Sequence, residues 1–148
     1  MVATEIIINA PPSKVREVFL DFRSLQSYHS LHFHKITAKS QDQQTSLQAG
    51  NQLALTIRGM SFVATIQTNS AEEFSWYKKV GAHAIVNATH KFKFLPGEMQ
   101  NTTRFVQEEE FGGVVGGPLF RMMDSSSMSE GFTQFNRDLK CYVEEGHS

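Results

Sequence analysis

The chain has 148 residues, 40% of them hydrophobic and 20% charged, with a formal charge of −1. That length fits one globular domain, which buries roughly 70% of its unfolded surface and needs no staple. The 14 basic and 15 acidic residues form no basic stripe, which argues against nucleic-acid binding; no stretch approaches a membrane span, and the single cysteine, Cys141, permits no internal disulfide, as suits the cytoplasm.

Val2 to Asn9 is rich in Ile and Val, without a basic leader, and reads as a first strand rather than a signal peptide. Ala10-Pro11-Pro12-Ser13 ends that strand and opens a helix, because proline at a helix entrance sacrifices no needed hydrogen bond. Val15, Val18, Phe19 and Phe22 then recur at helical spacing, and a second short helical turn is expected from Arg23 to Tyr28. Strand patterns follow at His32 to Ser40, Leu47 to Ile57, Met60 to Asn69 and Glu72 to Lys79. Gln41 to Thr45 reads as a polar turn and Arg58-Gly59 as a tight one. Ala84 to Phe94 and Thr102 to Phe111 form a hairpin across a Pro-Gly turn. Seven strands joined mostly by short turns imply an antiparallel sheet.

Gly112 to Gly117 lacks the lysine and hydroxyl of a phosphate-binding loop and reads as a hinge. The adjoining Leu119, Phe120, Met122 and Met123 fit either a lid or an ordinary packed loop. Ser127 and Glu130 fit a capping box that would start the closing helix near Met128. That helix runs to Glu144, with Met128, Phe132, Phe135, Leu139 and Tyr142 on one stripe and Cys141 expected to act as a small hydrophobe.

Alternation places Val86, Ala88, His90, Phe92 and Phe94 on one side of the hairpin, together with Thr103, Phe105, Gln107, Glu109 and Phe111. A register with His90 opposite Gln107 sets Glu109 on the diagonal, close enough to interact. Two readings stand open: a satisfied polar network inside an aromatic face, or an acid–base pair of His90 and Glu109 acting on a bound carbonyl compound. Trp76 shares a strand face with Phe74 and is placed inside, as core or as pocket wall. His29, His32 and His34 match no strong zinc spacing and are expected to line a polar entrance near the small helices; no metal is expected.

Four segments carry a family resemblance: IIINAPPSKVREVFLDF at Ile6 to Phe22, H-x-F-x-F at His90 to Phe94, TRFVQEEEFGG at Thr103 to Gly113, and GFTQFNRDLKCYVE at Gly131 to Glu144. In that order they resemble the START-like, helix-grip superfamily, also called SRPBCC, with its polyketide cyclase/dehydrase-like and birch-pollen-allergen-like members. The resemblance implies an α+β fold in one domain over residues 1–148. A seven-stranded antiparallel sheet would wrap a long C-terminal helix, with two short helices after the first strand. It implies a hydrophobic small-molecule ligand (lipid, polyketide or terpenoid-like) in a cavity between sheet and helix, no cofactor, and a monomer or weak homodimer. The expected polar contacts are Tyr28, His90, Gln107 and Glu109, with Arg58 a further one. Trp76, Phe92, Phe105 and Phe111 would form the sheet wall, and Met123, Phe132 and Phe135 would face them. The alternative is a cyclase or dehydratase using His90 and Glu109 in the same cavity. A regulatory interaction module lacks a recognisable partner patch.

Overall fold

The computed structural model describes residues 1–39, 47–80, 86–112 and 125–146. The turn expected at Gln41 to Thr45, most of the glycine-rich link, and the lid residues including Met123 lie outside the described residues.

Seven strands form one antiparallel sheet: β1 (Val2–Ile8), β2 (Phe33–Ala38), β3 (Gln52–Ile57), β4 (Met60–Asn69), β5 (Glu73–Val80), β6 (Val86–Pro96) and β7 (Thr103–Gly112). Their order is β1-β7-β6-β5-β4-β3-β2, so β2 through β7 form a meander and the first strand returns beside the last. Between the two edge strands run α1 (Pro12–Leu20), a 3₁₀ turn (Phe22–Ser24) and α2 (Leu25–Tyr28). The long helix α3 (Ser125–Glu144) closes the chain and packs beside β1. It is fastened there by Lys140 Nζ, which donates to the Ile7 carbonyl (2.7 Å), and by Glu144, which accepts from the Asn9 amide (2.8 Å). The architecture is the α+β helix-grip arrangement.

Aromatic rings from sheet and helices pack against one another in the core. Phe19 of α1 meets Phe74, Phe92, Phe94, Phe105 and Phe135 with ring centroids 4.6–6.2 Å apart, mostly edge-on or tilted. Phe33 forms a second hub with Trp76, Phe92, Phe132 and Phe135. Such pairs add about 0.5–1.5 kcal/mol each beyond area burial, which makes this face rigid.

Four expectations need correction. The hairpin pairs His90 with Glu109 and Phe92 with Gln107, two residues away from the expected register. The cause is the turn. Pro96 still pairs with Thr103 and the Gly97 amide still bonds to the Thr102 carbonyl (2.9 Å), so the chain reverses around Met99 and Gln100 rather than at Pro-Gly. Asn101, at φ 59°, supplies the left-handed residue that a four-residue hairpin loop needs. A slip of two keeps every side chain on its expected face. Secondly, α3 begins at Ser125, so Ser127 lies inside the helix and does not cap it. Thirdly, Cys141 is exposed on the outer side of α3 rather than packed as a small hydrophobe. The β3 strand is also shorter than expected, because Asn51 and Gly50 (φ 94°) bond to Ile66 as a turn ahead of it.

Candidate functional site

Strand alternation brings Phe74, Trp76 and Lys78 of β5 to the inner face, beside Ala88, His90 and Phe92 of β6 and Gln107, Glu109 and Phe111 of β7. Trp76 pairs with His90, which pairs with Glu109, making one row across three strands. In the next row Lys78 pairs with Ala88. The small Ala88 side chain lets the lysine reach across it: Lys78 Nζ donates to Glu109 Oε1 at 3.1 Å, and also lies 5.6 Å from the Phe62 ring centroid. His90 Nδ1 lies 2.6 Å from Glu109 Oε2. Lys78, His90 and Glu109 are all buried.

A chain of amides fixes the proton positions. The Phe132 carbonyl can only accept, so it orients Gln107, whose Nε2 donates to it (3.2 Å) and to Asn136 Oδ1 (2.5 Å). Asn136 Nδ2 in turn donates to Thr4 Oγ1 (3.1 Å). Gln107 Oε1 is therefore left facing His90, whose Nε2 must be the donor at 2.9 Å. Burial alone would raise the Glu109 carboxyl, but the charges and hydrogen bonds of His90 and Lys78 outweigh it and hold the group down at about 2. The carboxylate is ionised, with Lys78 Nζ against one of its oxygens and His90 Nδ1 against the other.

Trp76 is fully buried, and among the described residues its Nε1 has no hydrogen-bond partner. Its ring centroid is 5.5 Å from that of His90 and 5.0 Å from that of Phe92. A buried N–H without a partner is uncommon and asks for an explanation.

The expected site residues divide in two. Trp76, His90, Phe92, Phe105, Gln107 and Glu109 share the inner face, with Phe132 and Phe135 of α3 over them; Phe111 is half-buried at its margin. Tyr28 lies elsewhere. It stacks on Tyr142 at 4.5 Å, and both line a separate surface cleft of about 470 Å³ with Asp138 and Cys141. Its buried hydroxyl has no hydrogen-bond partner among the described residues, and burial, aided by Tyr142, pushes its pKa up.

The histidines do not form an entrance. His29 and His32 are buried and fasten loops. His29 Nε2 accepts from the amides of His32 (3.1 Å) and Phe33 (3.2 Å), so Nδ1 carries the proton donated to Asp138 (2.8 Å). Burial lowers the His29 pKa despite that carboxylate. His32 Nδ1 accepts from Arg58 Nε (3.2 Å), and burial, with the charges of His90 and Arg58, brings its pKa down to about 3. Arg58 also donates to Ser127 Oγ (2.9 Å) and to the Ser127 carbonyl (2.6 Å), tying the β3–β4 turn to α3.

Sequence reasoning missed Lys78, Asn136 and Thr4. The lysine was within reach, since the alternation through Phe74 and Trp76 continues to it. Asn136 follows Phe132 by one helical turn, which is a weaker signal.

Residues 1–144 match the family described as polyketide cyclase / dehydrase and lipid transport. The chain belongs to that family. With it comes membership of the START-like, SRPBCC superfamily. No curated protein matches the chain. Among solved structures, a hypothetical protein, jhp0584, from Helicobacter pylori aligns with TM-score 0.76 at 17% identity, over 96% of this chain and 86% of the other. A START superfamily protein from Mycobacterium smegmatis aligns with TM-score 0.67 at 15% identity, over 97% of both chains. The di-domain ARO/CYC protein StfQ of the steffimycin biosynthetic pathway aligns with TM-score 0.69 at 9% identity, over 98% of this chain and 45% of that one. At these identities the likeness is one of fold; a polyketide cyclase / dehydrase and lipid transport fold hosts both carriers and enzymes.

Proposed function

We propose that this family member binds a hydrophobic small molecule between the inner face of the sheet and α3, with the polar end of the guest beside the Trp76–His90–Glu109 row. The observation that carries this reading is the unpartnered Trp76 N–H, next to a buried ionic trio on an otherwise aromatic face. Buried polar groups are normally paired, and a ligand supplies the missing partner. Apolar contact would provide most of the affinity, at roughly 25 cal/mol per Å² before association costs.

The cyclase or dehydratase reading finds less support. A carboxylate held near pKa 2 is a weak base, and Lys78 and His90 already occupy both its oxygens. His90 Nε2 is taken by Gln107, and Nδ1 faces the carboxylate that Lys78 also holds. The trio resembles a fixed electrostatic fixture more than a proton shuttle.

Native mass spectrometry of protein purified from its own host tests the proposal. We expect an extra non-covalent mass of one small molecule, lost on denaturation. Only the bare chain mass, before and after extraction with organic solvent, speaks against it.

A further inference from the structure

Which polar end fits follows from counting donors and acceptors on the inner face, on the premise that this face is the binding site. Gln107 spends its amide N–H groups on Phe132 and Asn136, and its oxygen on His90. His90 spends Nε2 on Gln107 and sets Nδ1 2.6 Å from Glu109 Oε2, while Lys78 donates to the other Glu109 oxygen. These three, which the sequence singled out as ligand contacts, have already used their principal hydrogen bonds on one another. What remains is donors. Among the described residues Trp76 has an N–H with no partner, and Lys78, with three N–H groups, donates to Glu109. Trp76 and Lys78 stand two apart on β5 and so point to the same side of the sheet. Lys78 is buried and places a cationic donor on the same side as the Trp76 N–H, so an acceptor oxygen that carries negative charge suits both.

We propose that the ligand is an amphiphile with an anionic oxygen head, a carboxylate or an equivalent enolate or phenolate, received by Lys78 Nζ and Trp76 Nε1 rather than by His90 and Gln107. A neutral alcohol offers two donors a single neutral oxygen, whereas a carboxylate offers two charged ones, and charge-assisted hydrogen bonds are the stronger kind.

The test uses the full chain and two matched pairs of probes, dodecanoate with dodecan-1-ol and 1-pyrenebutyrate with 1-pyrenebutanol, by titration calorimetry at pH 8. We expect the acid of at least one pair to bind about tenfold or more tighter than its alcohol, the scale of one charged hydrogen bond. Lys78→Met should erase that preference, and Trp76→Phe should shrink it by about three- to fivefold, the scale of one neutral hydrogen bond. The second variant decides the matter if the first does not fold, as judged by circular dichroism. Equal binding of acid and alcohol overturns the anionic head but leaves the binding proposal standing. An acid preference that survives both substitutions overturns the assignment to Lys78 and Trp76. If no probe binds and no mass co-purifies, the binding proposal itself falls, and this inference falls with it.

Discussion

Gly131 shows how a single residue sets the distance between a loop and a helix. A Cβ placed there would lie 2.6 Å from His32 Nδ1 and 3.0 Å from its Cγ, closer than packed atoms approach. The imidazole cannot retreat: Arg58 holds its Nδ1, and its ring lies edge-on to Phe33 and Phe132 at 4.6 and 5.2 Å. Alanine usually favours a helix over glycine by about 1 kcal/mol, yet here the clash dominates. Gly131→Ala should therefore destabilise the protein by about 1–3 kcal/mol, measured as a lower urea midpoint at unchanged slope. A neutral or stabilising result would mean that His32 is free to move.

At the scale of elements, the β3–β4 hairpin and α3 act as one unit through Arg58. Its φ of 50° and that of Gly59, 80°, are the pair a two-residue type I′ turn demands. Arginine is a poor choice for that backbone, where asparagine is preferred, so its side-chain bonds to His32 and Ser127 must offset the strain. Arg58→Asn should keep the hairpin but release the start of α3. Amide exchange at residues 127–131 should speed up by about tenfold, while residues 136–143 stay protected. Uniform exchange along α3 in the variant would show that the tie is inert. This contact also marks the limit of what the sequence discloses. Period-two alternation put Trp76, His90, Gln107 and Glu109 on the inner face, because a strand obeys a local rule. The hairpin register and the start of α3 obeyed no such rule. The register depended on how Thr102 and Asn101 close a turn, and Ser127, read as a cap, instead lies inside α3 and accepts from a distant arginine. The roles of His29 and His32 were illegible for the same reason, since their partners lie on α3 and at the β3–β4 turn.

For the whole molecule, the buried titratable groups with lowered pKa values point one way. His29 and His32 both hold a proton less readily when folded, the latter falling from 6.5 to about 3. Stability is thus complete above pH 6.5 and declines as the unfolded chain, but not the folded one, takes up protons. For His32 the loss runs from pH 6.5 to about 3, at up to about 1.4 kcal/mol per pH unit. Glu109, lowered from 4.5 to about 2, extends the decline at the acid end. Urea midpoints should fall steadily from pH 7 to pH 4; a flat profile would mean that these histidines are not held neutral in the fold.

The central claim is that a guest sits on the inner face beside Trp76, which is the only tryptophan in the chain. Its emission therefore reads that face without interference. Protein stripped of small molecules on a hydrophobic resin should differ in Trp76 emission from protein as purified, and adding back the stripped extract should restore the original spectrum at saturation. Identical spectra before stripping, after stripping and after adding back would contradict the account.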